Sequence, residues 1–304
     1  MLLLSDAIKQ YEQHLRAKRR SPRTLTWYTE QFAAYRAWRA AQVIPPADEL
    51  PEAEIIDTFL ADQHEAGLAP STVHARFRAL RALFRFLERR KKITHDQNPF
   101  HVLDAPGVPT EVRRYVTAED LNTLLAVITG QTWLDHRDRV ILLILFYSGL
   151  RLSELCGLHV HDVDMTSLEV TVHRGKGDKA RVVPCAPDVR PALAAYLYTR
   201  PSHIDELLLK SDGYGGAAGV LRPEGVRQML IRRCKQAGIE PYSPHAFRHG
   251  FAMWLLNAGA RATTVATAMG HSDPQITLAI YAHTTVTTVR REYDEALSKR
   301  SKRS

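Results

Sequence analysis

Between Ser243 and Ala260 the chain reads SPHAFRHGFAMWLLNAGA, and from Met269 to His283 it reads MGHSDPQITLAIYAH. Four reactive side chains, His245, Arg248, His271 and Tyr281, therefore lie on either side of one apolar helical stretch. Two chemistries compete for such a set. His245 and His249 are four apart, share a face on a helix, and with His271 could ligate a metal. Against this, no Glu follows His245, so the metalloprotease pattern HExxH is missing, and Arg248 would set a permanent positive charge beside the ion. No metal or other cofactor is therefore expected. The competing chemistry is anion recognition. His245 and Arg248 lie one helical turn apart, and a guanidinium offers a planar fork that matches two phosphate oxygens. A second fork occurs far upstream in YSGLRLSEL (Tyr147 to Leu155). There Gly149 should end a buried helix and Arg151 should open the next, where backbone donors and the helix dipole favour an anion. Taken alone, Arg151 reads as a surface arginine paired with Glu154.

These groups need a scaffold, and composition bounds it. A chain of 304 residues suits two domains better than one core. Apolar residues at 45% and charged residues at 24% are ordinary for a soluble globular protein. The longest apolar run, VILLILFY from Val140 to Tyr147, is too short to span a bilayer and reads as a buried helix. The opening MLLL is likewise too short for a signal-peptide core. Three widely spaced cysteines, Cys156, Cys185 and Cys234, fit structural thiols in a reducing cytoplasm rather than a disulfide framework.

Forty-one Lys and Arg against 33 Asp and Glu give a formal charge of +8, which favours a polyanionic partner. The distribution is sharper than the total. Residues 41–70 hold seven acids and no Lys or Arg, while residues 71–95 hold eight bases and one acid.

Residues 5–92 read as four helices. Ser5 is the expected cap of the first, whose stripe is Ile8, Tyr11 and Leu15; Ser21 followed by Pro22 opens the second. The third carries Ile56, Phe59 and Leu60 and should stop near Gly67. The fourth should begin at Ser71 or Thr72 and run through Val73, Phe77, Leu80, Phe84 and Leu87. Beside that apolar stripe runs a basic one, Arg78, Arg81 and Arg85, rotated by roughly 100°. With the cluster Arg16, Lys18, Arg19, Arg20 and Arg23 it suggests a face that tracks phosphates. A stretch with three prolines and one glycine, Asn98 to Val112, reads as a linker. Thr117 and Asp120 then have capping-box spacing ahead of Leu121, Leu124, Leu125 and Ile128. The second domain is expected to be mostly helical, with one hairpin formed by LEVTVH (Leu168 to His173) and ARVVP (Ala180 to Pro184).

Four pieces, GLRLSEL, HRGKGDKARVVP, HAFRHGFAMWLLNAGA and GHSDPQITLAIYAH, occur in this order. Together they make the chain resemble the tyrosine recombinases, the phage-integrase and Xer type of site-specific DNA recombinase, across roughly residues 115–290. The resemblance implies a mainly α fold with a small β-hairpin or sheet: an N-terminal four-helix SAM-like core-binding domain (1–95), a linker (96–112), an α+β catalytic domain (113–293) and a basic tail (294–304). Carried over residue by residue, it makes Arg151, Lys176, His245, Arg248 and His271 the catalytic set and Tyr281 the nucleophile. Glu154 matches the acidic residue that follows the first arginine. Phe247, Trp254 and Met269 depart from the residues usual at their positions and read as packing substitutions. His271 to Tyr281 is a step of ten residues, as in many integrases and one longer than in the typical Xer protein. His249 and His283 are assigned to structure.

The implied reaction cuts and rejoins DNA strands through a 3′-phosphotyrosyl intermediate, without metal or ATP. The implied partners are double-stranded DNA with paired core sites and further recombinase subunits, a dimer on each site and a tetramer in the synapse, with no membrane. Val286, Val289, Tyr293 and Leu297 share one helical face that would dock on the neighbouring subunit. Three other readings compete: a resolvase- or topoisomerase-like enzyme acting on one duplex, a DNA-binding regulator that keeps the fold without catalysis, and, more distantly, a metalloenzyme. A pure binding module has no use for a nucleophile.

Overall fold

The computed structural model describes residues 2–42, 48–109, 114–173, 180–200, 203–214 and 216–270. The chain divides into two compact units, Met1–Val112 and Arg113–Ser304.

The first unit is built on α1 (Leu4–Ala17), α2 (Pro22–Ala41), α3 (Ala53–Glu65) and α4 (Pro70–Arg89). Helix α4 packs against the other three, because its apolar positions Val73, Phe77, Leu80, Leu83, Phe84 and Leu87 are all buried. Aromatic rings meet edge to face around it; Tyr35 and Phe59, for example, lie 5.0 Å apart at 88°. Ser21 caps α2 by accepting from the Thr24 N–H at 3.2 Å. Two helix starts differ from expectation. Helix α1 begins at Leu4, so Ser5 lies inside it, and the cap is supplied from far away: Asp48 Oδ1 accepts the Ser5 N–H at 2.9 Å and Oδ2 the Ser5 hydroxyl at 2.6 Å. Helix α4 begins at Pro70, whose fixed φ and missing N–H suit a first helical position, so Ser71 and Thr72 fall in its first turn. The beginning of the expected linker also packs on this core. Residues Pro99–His101 form a 3₁₀ turn, and Phe100 lies against Phe77 and Phe84.

In the second unit α5 (Ala118–Ala126) starts at a full Thr117–Asp120 capping box, and α6 (Trp133–Ser148) starts at a second one, Thr132–Asp135. Helix α6 is the axis of this core. Every residue from Val140 to Phe146 is buried, which is why its apolar run shows no helical periodicity. The short α7 (Leu152–Leu155) follows, then β1 (Val163–Asp164), β2 (Glu169–Val172) and β3 (Arg181–Pro184) in one antiparallel sheet, with Val170 opposite Val183 and Val172 opposite Arg181. Helix α8 (Val189–Thr199) leads to a second antiparallel pair, β4 (Leu209–Ser211) and β5 (Ala217–Val220), and then come α9 (Pro223–Gln236), α10 (Pro244–Asn257) and α11 (Ala262–Met269). The expected hairpin is present as β2–β3. Strand β1 and the β4–β5 pair extend the sheet content beyond it.

A buried charge network ties α6 to α9. Asp138 is fully buried and accepts from Arg137, from Arg232 at 2.9 Å and from Arg233 at 2.9 Å, while Arg233 also reaches Asp135 at 2.7 Å. The three cysteines are unpaired. Burial pushes the thiols of Cys156 and Cys185 up to about 11 and about 12, and that of Cys234 upward as well.

Candidate active site

Three chain segments converge at the ends of α6, α10 and α11. Helix α6 stops at Gly149, whose left-handed φ of +59° reverses the chain. Space requires glycine there too: a Cβ would lie 2.2 Å from the Phe251 ring. Helix α10 approaches the start of the second unit just as closely. A Cβ on Gly250 would sit 2.2 Å from the Val116 carbonyl oxygen, and the Val116 N–H donates to the Ala246 carbonyl. These two contacts set α10 against α6 and bring Arg248 up to the turn after α6.

Arg248 is buried, 4% exposed, and donates to the carbonyls of Gly149 and Met269. Arg151 occupies the N-cap position of α7 and is half-buried. Its guanidinium donates to Glu154 Oε1 at 2.8 Å and to the Gly270 carbonyl at 2.9 Å, and its backbone N–H donates to Glu154 Oε2 at 2.8 Å. A third arginine, Arg181 on β3, grips the other side of Glu154 with two bonds of 2.9 and 2.7 Å and reaches the Ala268 carbonyl at 3.2 Å. Three guanidiniums thus take the last three carbonyls of the α11 terminus, one each from Ala268, Met269 and Gly270. The carbonyls at a helix C-terminus lack intrahelical partners and carry partial negative charge, so cations gather there.

Glu154 is the shared counter-ion. Burial alone would raise its carboxyl, but hydrogen bonds from Arg181, then from the Arg151 backbone and side chain, hold it down at about 2. It stays ionised and keeps both guanidiniums fixed. His245 lies in the first turn of α10, exposed, just after Ser243 caps that helix by accepting the Ala246 N–H at 3.2 Å.

The structure therefore brings Arg151 and Arg248 to one place, with His245 one turn from Arg248 on α10. Lys176, His271 and Tyr281 lie outside the described residues, as do His283, the 284–304 segment and the basic tail. The ring of His249 lies 5.5 Å from that of Tyr115, and Trp254 lies 5.3 Å from Tyr147. Arg181 was not singled out by the sequence reading. It lies on a strand, and its carboxylate partner is 27 residues away in the chain. The signal available was its place in HRGKGDKARVVP, where an arginine between apolar strand residues needs an acid to neutralise it.

In the first unit, Trp27, Tyr28, His74, Arg78, Arg81 and Arg85 line a cleft of about 390 Å³. Aromatic faces and guanidiniums side by side suit a phosphate backbone with its sugars and bases. No described helix is long and apolar enough to cross a membrane.

Comparison with known proteins agrees in both units. Residues 114–287 match the model of the phage integrase family, and residues 8–91 match the phage integrase N-terminal SAM-like domain. The chain is 32% identical over 288 residues to the tyrosine recombinase XerC of Bacillus pumilus, covering 91% of this chain and 90% of that one. It is 31% identical over 292 residues to the tyrosine recombinase XerA of Thermococcus kodakarensis, with 96% and 95% covered. Among solved structures it resembles the Tn1549 transposon integrase in complex with transposon right-end DNA, with a TM-score of 0.73, 22% identity, and 96% of this chain and 99% of that chain covered. A lambda integrase dimer bound to a core site gives a TM-score of 0.70 at 16% identity, over 90% and 97% of the two chains.

Proposed function

The chain belongs to the phage integrase family of site-specific tyrosine recombinases, and we propose that it cuts and rejoins DNA through a covalent bond to Tyr281, using Arg151, Lys176, His245, Arg248 and His271. The observation that carries this reading is that Arg151 and Arg248 both reach the end of α11, Arg151 braced by an anionic Glu154 and Arg248 held on the turn after α6.

In this mechanism the Tyr281 oxygen attacks the scissile phosphorus, a bond from phosphorus to the phenolic oxygen forms, and the bond to the 5′-oxygen breaks. A phenol with a pKa near 10 is a weak nucleophile until its proton leaves. His245 accepts that proton, and Lys176 supplies one to the departing 5′-oxygen. Negative charge gathers on the non-bridging oxygens in the transition state, where Arg151 and Arg248 clamp them and His271 adds a hydrogen bond. The phosphodiester energy is kept in the phosphotyrosyl bond, so a free 5′-hydroxyl can reverse the step without ATP or a metal.

The basic cleft of the first unit tracks the DNA backbone, and the second unit carries the strand-transfer chemistry. By analogy with the lambda integrase dimer on a core site, two subunits occupy each paired site and four form the synapse. The 284–304 segment links neighbours. The three unpaired thiols fit the reducing cytoplasm as its compartment.

The test is a nicked core-site duplex incubated in EDTA. The parent protein is expected to leave a covalent protein–DNA adduct that survives denaturing electrophoresis, and Tyr281→Phe none. Cleavage by the variant, or no adduct from the parent on its own junction sequence, would refute the assignment.

A further inference from the structure

Among the described residues, each strongly buried carboxylate of the second unit has arginine partners, with one exception. Asp135 and Asp138 are held by Arg233 and Glu154 by Arg151 and Arg181. Asp162 is just as buried, 3% exposed. Yet among the described residues, the basic side chains within 4.0 Å of it are those of His159, His161 and His173. These neighbours differ in kind from a guanidinium: an imidazole nitrogen can ligate a metal ion together with a carboxylate, and an arginine cannot.

The geometry around Asp162 is organised. The His159 backbone N–H donates to Oδ2 at 2.8 Å and fixes the carboxylate, turning Oδ1 towards two imidazoles. His173 Nε2 is 2.6 Å from Oδ1 and His161 Nε2 is 3.6 Å from it. The two imidazole nitrogens and the carboxylate oxygen all lie within 4.8 Å of one another. Tetrahedral zinc with bonds of about 2.0–2.2 Å needs its ligand atoms roughly 3.3–3.6 Å apart, so small side-chain rotations close the set. Both imidazoles can make them, since the His161 and His173 side chains are 74% and 60% exposed.

We propose that His161, Asp162 and His173 bind a divalent transition-metal ion of the zinc type. Two imidazoles with one carboxylate suit zinc, cobalt or nickel and not magnesium or calcium, which take oxygen ligands. The His159 N–H acts as the outer partner that orients the ligating carboxylate. His161 and Asp162 come from the 3₁₀ turn Val160–Asp162 and His173 follows the end of β2, so the ion clamps that turn to the end of the strand. It stands outside the strand-transfer chemistry, and the inference does not depend on that reading.

A rival cluster exists in the first unit, where Glu88 meets His95 and His101 at 3.1 and 3.2 Å. There Asn98 already donates to the carboxylate at 2.6 Å, and the two rings stack on each other at 3.8 Å between centroids. It serves as the internal control. Untagged full-length protein, stripped with EDTA and then passed into chelator-free buffer, is titrated calorimetrically with Zn²⁺, and in parallel with Co²⁺ to read the visible bands of nitrogen-ligated cobalt. One tight site is expected. His161→Gln and His173→Gln should each weaken it at least tenfold and alter the cobalt spectrum, while the His95→Gln, His101→Gln double variant leaves both unchanged. No saturable binding, unchanged affinity in His161→Gln and His173→Gln, or a loss that follows the His95/His101 variant would each overturn the proposal.

Discussion

Replacing Glu154 by Gln removes one negative charge and one acceptor at nearly constant volume, from a side chain only 3% exposed. Its ionisation is displaced from 4.5 to about 2 by the surrounding donors. That displacement corresponds to roughly 3 kcal/mol of folding stability at neutral pH. The sign follows from linkage. Because the folded value is depressed, the contribution is present above the unfolded value and is lost as pH falls through the folded one. About 1 kcal/mol should be gone by pH 4 and about 2 kcal/mol by pH 3. Urea unfolding of parent and Glu154→Gln across this range measures the difference, with the second unit's transition followed separately because two units need not unfold together. The parent should be the more stable by about 2–3 kcal/mol at pH 7, and the gap should narrow on acidification. Adduct formation should fall as well, by up to about a hundredfold if Arg151 swings out of line. A variant whose stability is unchanged at pH 7, or a gap that widens in acid, would refute the idea that Glu154 is the counter-ion of both arginines.

Three further outcomes follow from the packing. Asp138→Ala strands Arg137, Arg232 and Arg233 around a missing anion and should cost about 3–5 kcal/mol in the same unfolding assay. Gly250→Ala, which in an open helix would stabilise by ~0.5–1 kcal/mol, should instead destabilise by ~1–3 kcal/mol, because its Cβ would lie 2.2 Å from the Val116 oxygen; melting curves give the sign. Arg85→Ala in the first unit's cleft should weaken binding of unrelated duplexes about as much as binding of the cognate site. It should also lower the slope of log K against log salt by about 0.9, as read by anisotropy.

What the sequence disclosed depended on how local the cause was. The stripe on α4 and the caps at Ser21 and Thr117 are short-range patterns, and they appear in the structure where the spacing put them. The start of α1 was hidden because its cap is Asp48, 43 residues away. Strands β4 and β5 were hidden for another reason: LKS and AAGV are too short and too poor in β-branched residues to show alternation. In the candidate site, the motifs pointed to Arg151, Glu154 and Arg248, which the structure brings to one place, and to His245 one turn away on α10. The bracing by Arg181 was not legible, since it arises only when β3 is laid beside α7 and α11. The setting of Asp162 was equally illegible, since its lack of an arginine shows only in three dimensions beside the arginine-paired Asp135, Asp138 and Glu154.

The three thiols carry a practical consequence. With Cys156 and Cys185 raised to about 11 and about 12, well under a thousandth of either is thiolate at neutral pH, and burial raises Cys234 in the core as well. Maleimides and mild oxidants should therefore pass the native residues by. A single cysteine engineered into the basic cleft would then accept a fluorophore alone, giving a wild-type background ready for distance measurements on DNA.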